Sequence, residues 1–87
     1  MRIEYSKKFI KEFRKCPDNI KKAFKKRLQV FISNERDPVL NNHSLTGRLQ
    51  DYQSINVNGD WRVIFQKIDS GTIVYFVAIG THSKLYS

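Results

Sequence analysis

Three strand-like runs occupy the C-terminal half of the chain, and only two short turns separate them. The runs cover residues 52–57, 61–68 and 72–79, with Asn58-Gly59 in the first gap and Asp69-Ser70-Gly71 in the second. Asn-Gly between such runs is a strong hairpin signal, because both residues accept the positive φ of a type I′ turn. The sequence therefore predicts an antiparallel meander. Its last run is apolar on both faces, which predicts a central strand.

The N-terminal part predicts one strand and two amphipathic helices. Residues 2–5 alternate as a half-buried strand does, and Ser6 suits the N-cap of a helix. Pro17-Asp18 then begins a second helix that ends near Ser33. Apolar residues recur at helical spacing on one face of each helix: Phe9, Phe13 and Cys16 in the first, and Ile20, Ala23, Phe24, Leu28, Phe31 and Ile32 in the second.

These elements predict an α+β fold with the order β-α-α-β-β-β, in which both helices pack on one face of a small, mainly antiparallel sheet. A chain of 87 residues without repeats or linkers forms one small domain, residues 1–87. Its single cysteine, Cys16, is interpreted as a core residue rather than a reactive thiol. The run 73–79 is too short to cross a membrane and no signal peptide is apparent, so we expect a cytoplasmic protein.

The charge is strongly basic and unevenly placed. The net charge is +8, and residues 1–37 carry 12 of the 16 bases and 5 of the 8 acids. The exposed face of the second helix contributes four lysines: Lys21, Lys22, Lys25 and Lys26. This face has two interpretations, a solvated helix surface or a surface that meets RNA phosphates, DNA or an acidic partner.

Three short motifs follow the second helix. They are His43-Ser-Leu-Thr-Gly, then Asp60-Trp-Arg, and finally Gly80-Thr-His-Ser-Lys-Leu-Tyr. Each motif alone is a weak signal. Together with the preceding strand and basic helices, their order and spacing resemble the RelE/ParE superfamily of bacterial toxins, and the YafQ-like branch in particular, over essentially the whole chain.

The resemblance implies a ribosome-dependent messenger-RNA endonuclease that a cognate antitoxin holds inactive. Its partners would be the ribosome, messenger RNA and the antitoxin, with no membrane, small-molecule ligand, cofactor or metal. The +8 charge predicts that the antitoxin segment is acidic and lies along the lysine-rich helices or near Arg62.

The resemblance also implies catalytic or RNA-contacting roles for particular residues. The histidine and aromatic of the C-terminal motif fall on His82 and Tyr86, and the acid and aromatic of the hairpin fall on Asp60 and Trp61. The histidine before the leucine-glycine motif falls on His43. The branch usually has a further histidine before the hairpin turn, where this chain has Asn56, which cannot exchange a proton.

The residue types themselves suit metal-free RNA cleavage. Attack by a 2′-hydroxyl needs a proton acceptor, a charge that stabilises the phosphate oxygens and a proton donor for the leaving oxygen. His82 suits proton transfer, and His43 would take the complementary role if its loop folds back beside the end of the last strand. Arg62 and Lys84 offer positive charge to the phosphate. Trp61 and Tyr86 offer flat faces on which an unpaired base can stack.

Each of these residues also has a structural interpretation. His82 near a chain end is a typical solvated or capping residue, and Asp60 after Asn-Gly is a typical turn residue. Arg62 is able to pair with Asp51, and Trp61 and Tyr86 are able to serve as core or sheet-edge aromatics. Gly80 is expected to let the backbone leave the sheet and so present His82 at its edge.

Two other function classes compete with the nuclease. One is a ParE-type gyrase inhibitor, which would not need His43 or His82. The other is a non-catalytic toxin-like module that acts with an antitoxin in operon autoregulation, which the replacement of a histidine by Asn56 keeps open.

Chelation of metal ions is expected to leave RNA cleavage intact, because side chains meet all three needs of the reaction and no carboxylate pair is spaced for a two-metal site. Ribosomes themselves need Mg²⁺, so the test mixes protein and RNA without ribosomes and adds either Mg²⁺ or EDTA. Cleavage that appears with Mg²⁺ alone and disappears with EDTA would contradict the histidine mechanism.

Overall fold

Five strands form one sheet in the order β1-β5-β4-β3-β2. The computed structural model describes residues 1–86, and Ser87, the last residue of the predicted domain, lies outside them. The elements are β1 (Arg2–Tyr5), α1 (Lys7–Arg14), α2 (Asp18–Ser33), a 3-10 turn (Pro38–Leu40), β2 (His43–Ser44), a second 3-10 turn (Gly47–Leu49), β3 (Gln53–Asn58), β4 (Trp61–Ile68), β5 (Ile73–Thr81) and α3 (His82–Leu85).

The sheet is mainly antiparallel, and the predicted α+β architecture is confirmed. Only β1 pairs in parallel, with β5, while the β2–β3, β3–β4 and β4–β5 pairs are antiparallel. β5 therefore lies between β1 and β4, which explains why the run 72–79 is apolar on both faces.

The core lies between α1, α2 and one face of the sheet. Phe31 of α2, Phe65 of β4 and Phe76 of β5 are all fully buried. The Phe31 and Phe65 rings meet edge to face with centroids 5.2 Å apart, and the Phe65 and Phe76 centroids are 5.7 Å apart. Such aromatic pairs contribute about 0.5–1.5 kcal/mol each beyond their buried area. Cys16 is 7% exposed and belongs to this core, as predicted.

The second half of β5 has α1 beside it instead of a strand. β1 ends where Tyr5 pairs with Phe76. Beyond that point the Ser6 hydroxyl donates to the Val77 carbonyl at 3.1 Å, and the Glu12 carboxylate accepts from the Ile79 amide at 3.1 Å. Ser6 Oγ also caps α1 by accepting from the Phe9 amide at 2.9 Å, which confirms the predicted N-cap.

Two β-bulges bend the sheet. Val57 is the extra residue of β3 opposite β4, and Val77 is the extra residue of β5 opposite β4. A bulge leaves a backbone group unpaired. At the Val57 bulge, helix α2 provides the missing partner, because Arg27 Nε donates to the Val57 carbonyl at 3.1 Å.

The structure corrects several predicted details. It adds the two-residue strand β2 and the short helix α3, neither of which has a distinct sequence pattern. The prediction of a type I′ turn is wrong, because Asn58 is the last residue of β3 and pairs with Trp61. Of the two predicted turn residues, only Gly59 has a positive φ, +55°.

The prediction that Gly80 lets the backbone leave the sheet is also wrong. Gly80 is a strand residue of β5, and it pairs with Arg62. A Cβ atom there would lie 3.3 Å from the Leu85 side chain, so glycine allows α3 to fold back tightly on the strand.

Glu12→Ala is expected to lower the free energy of unfolding by about 1–3 kcal/mol, because it leaves the buried amide of Ile79 without an acceptor. Glu12→Gln removes the same charge and keeps an acceptor oxygen, so it should retain most of the stability. Urea unfolding of both variants checks this. Equal losses of unfolding free energy in the two variants would contradict a stabilising role for the hydrogen bond between Glu12 and the Ile79 amide.

Candidate active site

Arg62 is held at the start of β4 by backbone oxygens. Its Nη1 donates to the Gly59 carbonyl at 2.8 Å and to the Trp61 carbonyl at 3.1 Å. Its Nε and Nη2 make no hydrogen bond within residues 1–86. Within that part of the chain Arg62 also forms no ion pair with Asp51, the structural alternative that the sequence allowed. The guanidinium is therefore fixed at one nitrogen and offers the others to a ligand.

His82 follows β5 directly and is the first residue of α3. Its amide donates to the Asp60 carbonyl at 2.8 Å, which ties α3 to the turn between β3 and β4. Its exposed ring meets the ring of Tyr86 at 62°, with centroids 4.6 Å apart. The fold thus brings Asp60, Arg62, His82 and Tyr86 together at one end of the sheet.

The face of the sheet that the helices leave uncovered, here called the open face, carries polar groups beside Arg62. Paired residues point to the same face of a sheet, and Asn56, Arg62 and Gly80 form one row across β3, β4 and β5. Among residues 1–86, three buried oxygens lack a hydrogen-bond partner: Ser54 Oγ, Asn56 Oδ1 and Tyr86 Oη. Buried polar atoms normally bond to protein, water or ligand, so each of these oxygens has an unused acceptor.

His43 lies on β2, at the opposite edge of the sheet from β1. It pairs with Ser54, and two strands separate β2 from β5. At about 4.8 Å per strand, His43 is roughly 14 Å across the sheet from the end of β5. Its loop therefore does not fold back beside the last strand. Its Nδ1 lies 2.8 Å from the Asn41 carbonyl, which only accepts, so Nδ1 carries a proton.

Trp61 points away from Arg62 and packs partly against the core. It lines a cavity of about 350 Å³ between α1 and the end of β5, here called the lysine pocket. Around it lie Lys8, Lys11, Glu12, Lys15, Cys16, Ile79, Gly80, Thr81 and Lys84. The pocket lysines Lys8, Lys11 and Lys15 are all exposed. Their spacing in the sequence, i, i+3 and i+7, is the pattern from which a shared helix face can be predicted.

Two of the α2 lysines also approach this end of the molecule. Lys22, Lys25 and Lys26 are exposed and Lys21 is half-buried. Lys22 and Lys26 line a surface depression with Asn58, next to the turn between β3 and β4. Two of the four α2 lysines therefore lie near the turn that precedes Arg62.

Within the described residues, no group of three or more His, Cys, Asp or Glu side chains is arranged to hold a metal ion. No helix of residues 1–86 has the length and apolar character needed to span a membrane.

Solved structures share this architecture. YafQ from E. coli strain BL21(DE3) gives a TM-score of 0.82 at 25% identity, with 100% of both chains covered. YafQ in the E. coli DinJ-YafQ complex gives 0.77 at 26% identity, again with 100% of both chains covered. The YoeB/ParE toxin from Agrobacterium tumefaciens has the same fold, with a TM-score of 0.78 at 10% identity over 94% of this chain and 99% of that one.

The fold is that of the RelE/ParE superfamily of toxins. The family model described as "Bacterial toxin of type II toxin-antitoxin system, YafQ" matches residues 1–87. The chain belongs to this family of toxins. Comparison with curated protein sequences gives no match.

Cys16 is expected to react with iodoacetamide at least about tenfold more slowly in the folded protein than in urea. Burial raises the pKa of its thiol, against partial lowering by Lys21 and Lys84, so less thiolate forms at a given pH. Mass spectrometry of timed reactions at pH 8 measures the ratio. Equal rates in the folded and unfolded protein would contradict the buried placement.

Proposed function

We propose that this toxin is a ribosome-dependent messenger-RNA endonuclease. The observation that carries the proposal is the placement of Arg62, tethered through Nη1 with Nε and Nη2 unengaged, at the same end of the sheet as His82. A fixed guanidinium with two donors available suits a phosphate, because its planar fork matches two phosphate oxygens.

The proposed reaction is attack of a ribose 2′-oxygen on the adjacent phosphorus. The new bond joins the 2′-oxygen to phosphorus, the bond from phosphorus to the 5′-oxygen breaks, and the products are a 2′,3′-cyclic phosphate and a 5′-hydroxyl. His82 in its protonated form donates a proton to the leaving 5′-oxygen, and the carboxylate of Asp60 accepts the 2′-hydroxyl proton. Arg62 stabilises the charge that builds on the phosphate oxygens.

The open face supplies groups that orient the RNA. Asn56 cannot transfer a proton, but its unpartnered Oδ1 is able to accept a hydrogen bond from a ribose hydroxyl or a base amino group. Tyr86 stacks with the base next to the cleaved phosphate. His43 lies too far across the sheet to share that phosphate with His82, so we assign it a contact with the same RNA strand farther along the open face.

The basic helices provide the docking surface. Lys21, Lys22, Lys25 and Lys26 meet ribosomal RNA phosphates, which compensates for the small area of the site itself. Structures of YafQ with DinJ support the proposal that an antitoxin binds this chain too. An acidic antitoxin segment that covers the lysines would block the docking surface, and one that fills the cleft at Arg62 would block the catalytic groups.

His82→Ala is expected to lower the rate of messenger-RNA cleavage on programmed ribosomes by about 10²- to 10⁴-fold, the usual contribution of one acid-base group. The exposed ring lies outside the core, so the melting temperature should stay near that of the wild type. Single-turnover cleavage, thermal unfolding and ribosome binding are measured together. A variant that folds, binds ribosomes and cuts at the wild-type rate would remove His82 from the mechanism.

A gyrase assay on the wild-type protein separates the nuclease from the ParE-type alternative. Inhibition of supercoiling without new messenger-RNA ends would contradict the proposed function.

A further inference from the structure

The lysine pocket gathers positive charge that the protein itself does not neutralise. The side-chain amines of Lys8, Lys11 and Lys15 make no hydrogen bond or ion pair within residues 1–86. Glu12, the acid among the pocket residues, accepts from the backbone amide of Ile79 and forms no ion pair with these lysines. Like charges at i, i+3 and i+7 on a helix repel, which costs stability unless an anion is bound.

The pocket also has an aromatic wall. Trp61 is half-buried and lines the cavity beside the lysines, with Thr81 next to it. A cationic groove with an aromatic face is the combination by which proteins hold single-stranded nucleic acid, because lysines bind phosphates and a base stacks on the ring. An acidic peptide would use the lysines but has no base to place on the indole.

The pocket borders the open face at the edge of β5. A second cavity, of about 540 Å³, is lined on the open face by residues that include Tyr52, Ile64 and Leu85. The two cavities share Lys8, Glu12 and Lys84 as lining residues, so both adjoin the edge of β5 where α1 replaces a strand.

The side chains of Trp61 and Arg62 lie on opposite faces of the sheet. Trp61 and Arg62 are neighbours on β4, and side chains alternate between the faces of a sheet. An RNA strand that passes around this end of the sheet therefore meets Arg62 on one side and Trp61 on the other.

We propose that the lysine pocket is a second phosphate site for the same RNA strand, in which Lys8, Lys11 and Lys15 bind the phosphate next to the cleaved one and Trp61 stacks on its base. This assignment rests on the proposed function for the identity of the strand, and it adds a subsite on the other side of the sheet. It also gives the α1 lysines a role distinct from that of the α2 lysines.

The test compares two double variants that remove the same number of positive charges at different places on the molecule. Lys8→Gln/Lys15→Gln removes two charges seven residues apart on the pocket side of α1, and Lys7→Gln/Arg14→Gln removes two charges at the same spacing on the same helix outside the pocket. The ligand is a fluorescein-labelled single-stranded RNA of about ten nucleotides, with 2′-O-methyl riboses that prevent cleavage. Its length lies in the range that single-strand sites occupy.

The pocket variant is expected to lose about tenfold or more in affinity at low salt, while the control pair stays within about threefold of the wild type. The slope of log K against log salt should fall in magnitude by about 1.4 in the pocket variant, since each phosphate contact contributes about 0.7 for a single strand. Equal losses of affinity and slope in the two double variants would overturn the proposal.

The single tryptophan of the chain supplies an independent measurement. Saturating RNA should quench the fluorescence emission of Trp61, because a base stacks on the indole. Unchanged emission at saturation would overturn the proposal. Quenching by a glutamate-rich peptide of equal charge, without quenching by RNA, would assign the pocket to a protein partner and would also overturn it.

These outcomes are separable from those of the nuclease assay. If the wild type does not cut messenger RNA on ribosomes but the two double variants differ as expected, the nuclease fails and the RNA subsite stands. If cleavage is observed and the double variants bind RNA alike, the nuclease stands and the subsite fails.

Discussion

The second half of β5 has no strand beside it on the side of β1, and helix α1 supplies the hydrogen-bonding groups that a strand would provide. Ser6 at one end of α1 and Glu12 near the other bond to the Val77 carbonyl and the Ile79 amide. These two contacts fix the helix along the strand edge. Because Lys8 and Lys11 lie on this helix and Lys15 caps its C-terminus, the contacts also fix the basic wall of the lysine pocket. The position of the positive charge thus follows from the need to satisfy a strand edge.

Most of the fold is predictable from local signals in the sequence. Ser6 before an amphipathic run, Pro17-Asp18 at a helix start and glycine-containing turns between strands are short-range patterns, and the structure confirms the elements that they predict. The bulges at Val57 and Val77 depend on contacts between distant segments, so no local pattern reveals them. Strand β2 has only two residues, and it exists because β3 offers it a pairing edge.

The sequence indicates which residue types could form the candidate site, but it does not predict how they are arranged. The chemistry of histidine and arginine identified His82 and Arg62 as candidates, and the fold brings them to one end of the sheet. The separation of His43 from His82 depends on strand order, which a single sequence does not specify. The pocket lysines were counted in the net charge, but their position beside Trp61 depends on how α1 packs against β5.

The parallel pairing of β1 with β5 has a consequence for the timing of folding during synthesis. The first strand of the chain completes the sheet only by pairing with the last, Arg2 opposite Ile73 through Tyr5 opposite Phe76. Contacts between residues so far apart in sequence form late, because closing the long intervening segment costs entropy. A nascent chain that still holds β5 inside the ribosome lacks the strand that joins β1 to the rest of the sheet, and it lacks His82 as well. The candidate site therefore cannot assemble on a chain until β5 and α3 have left the ribosome that makes it.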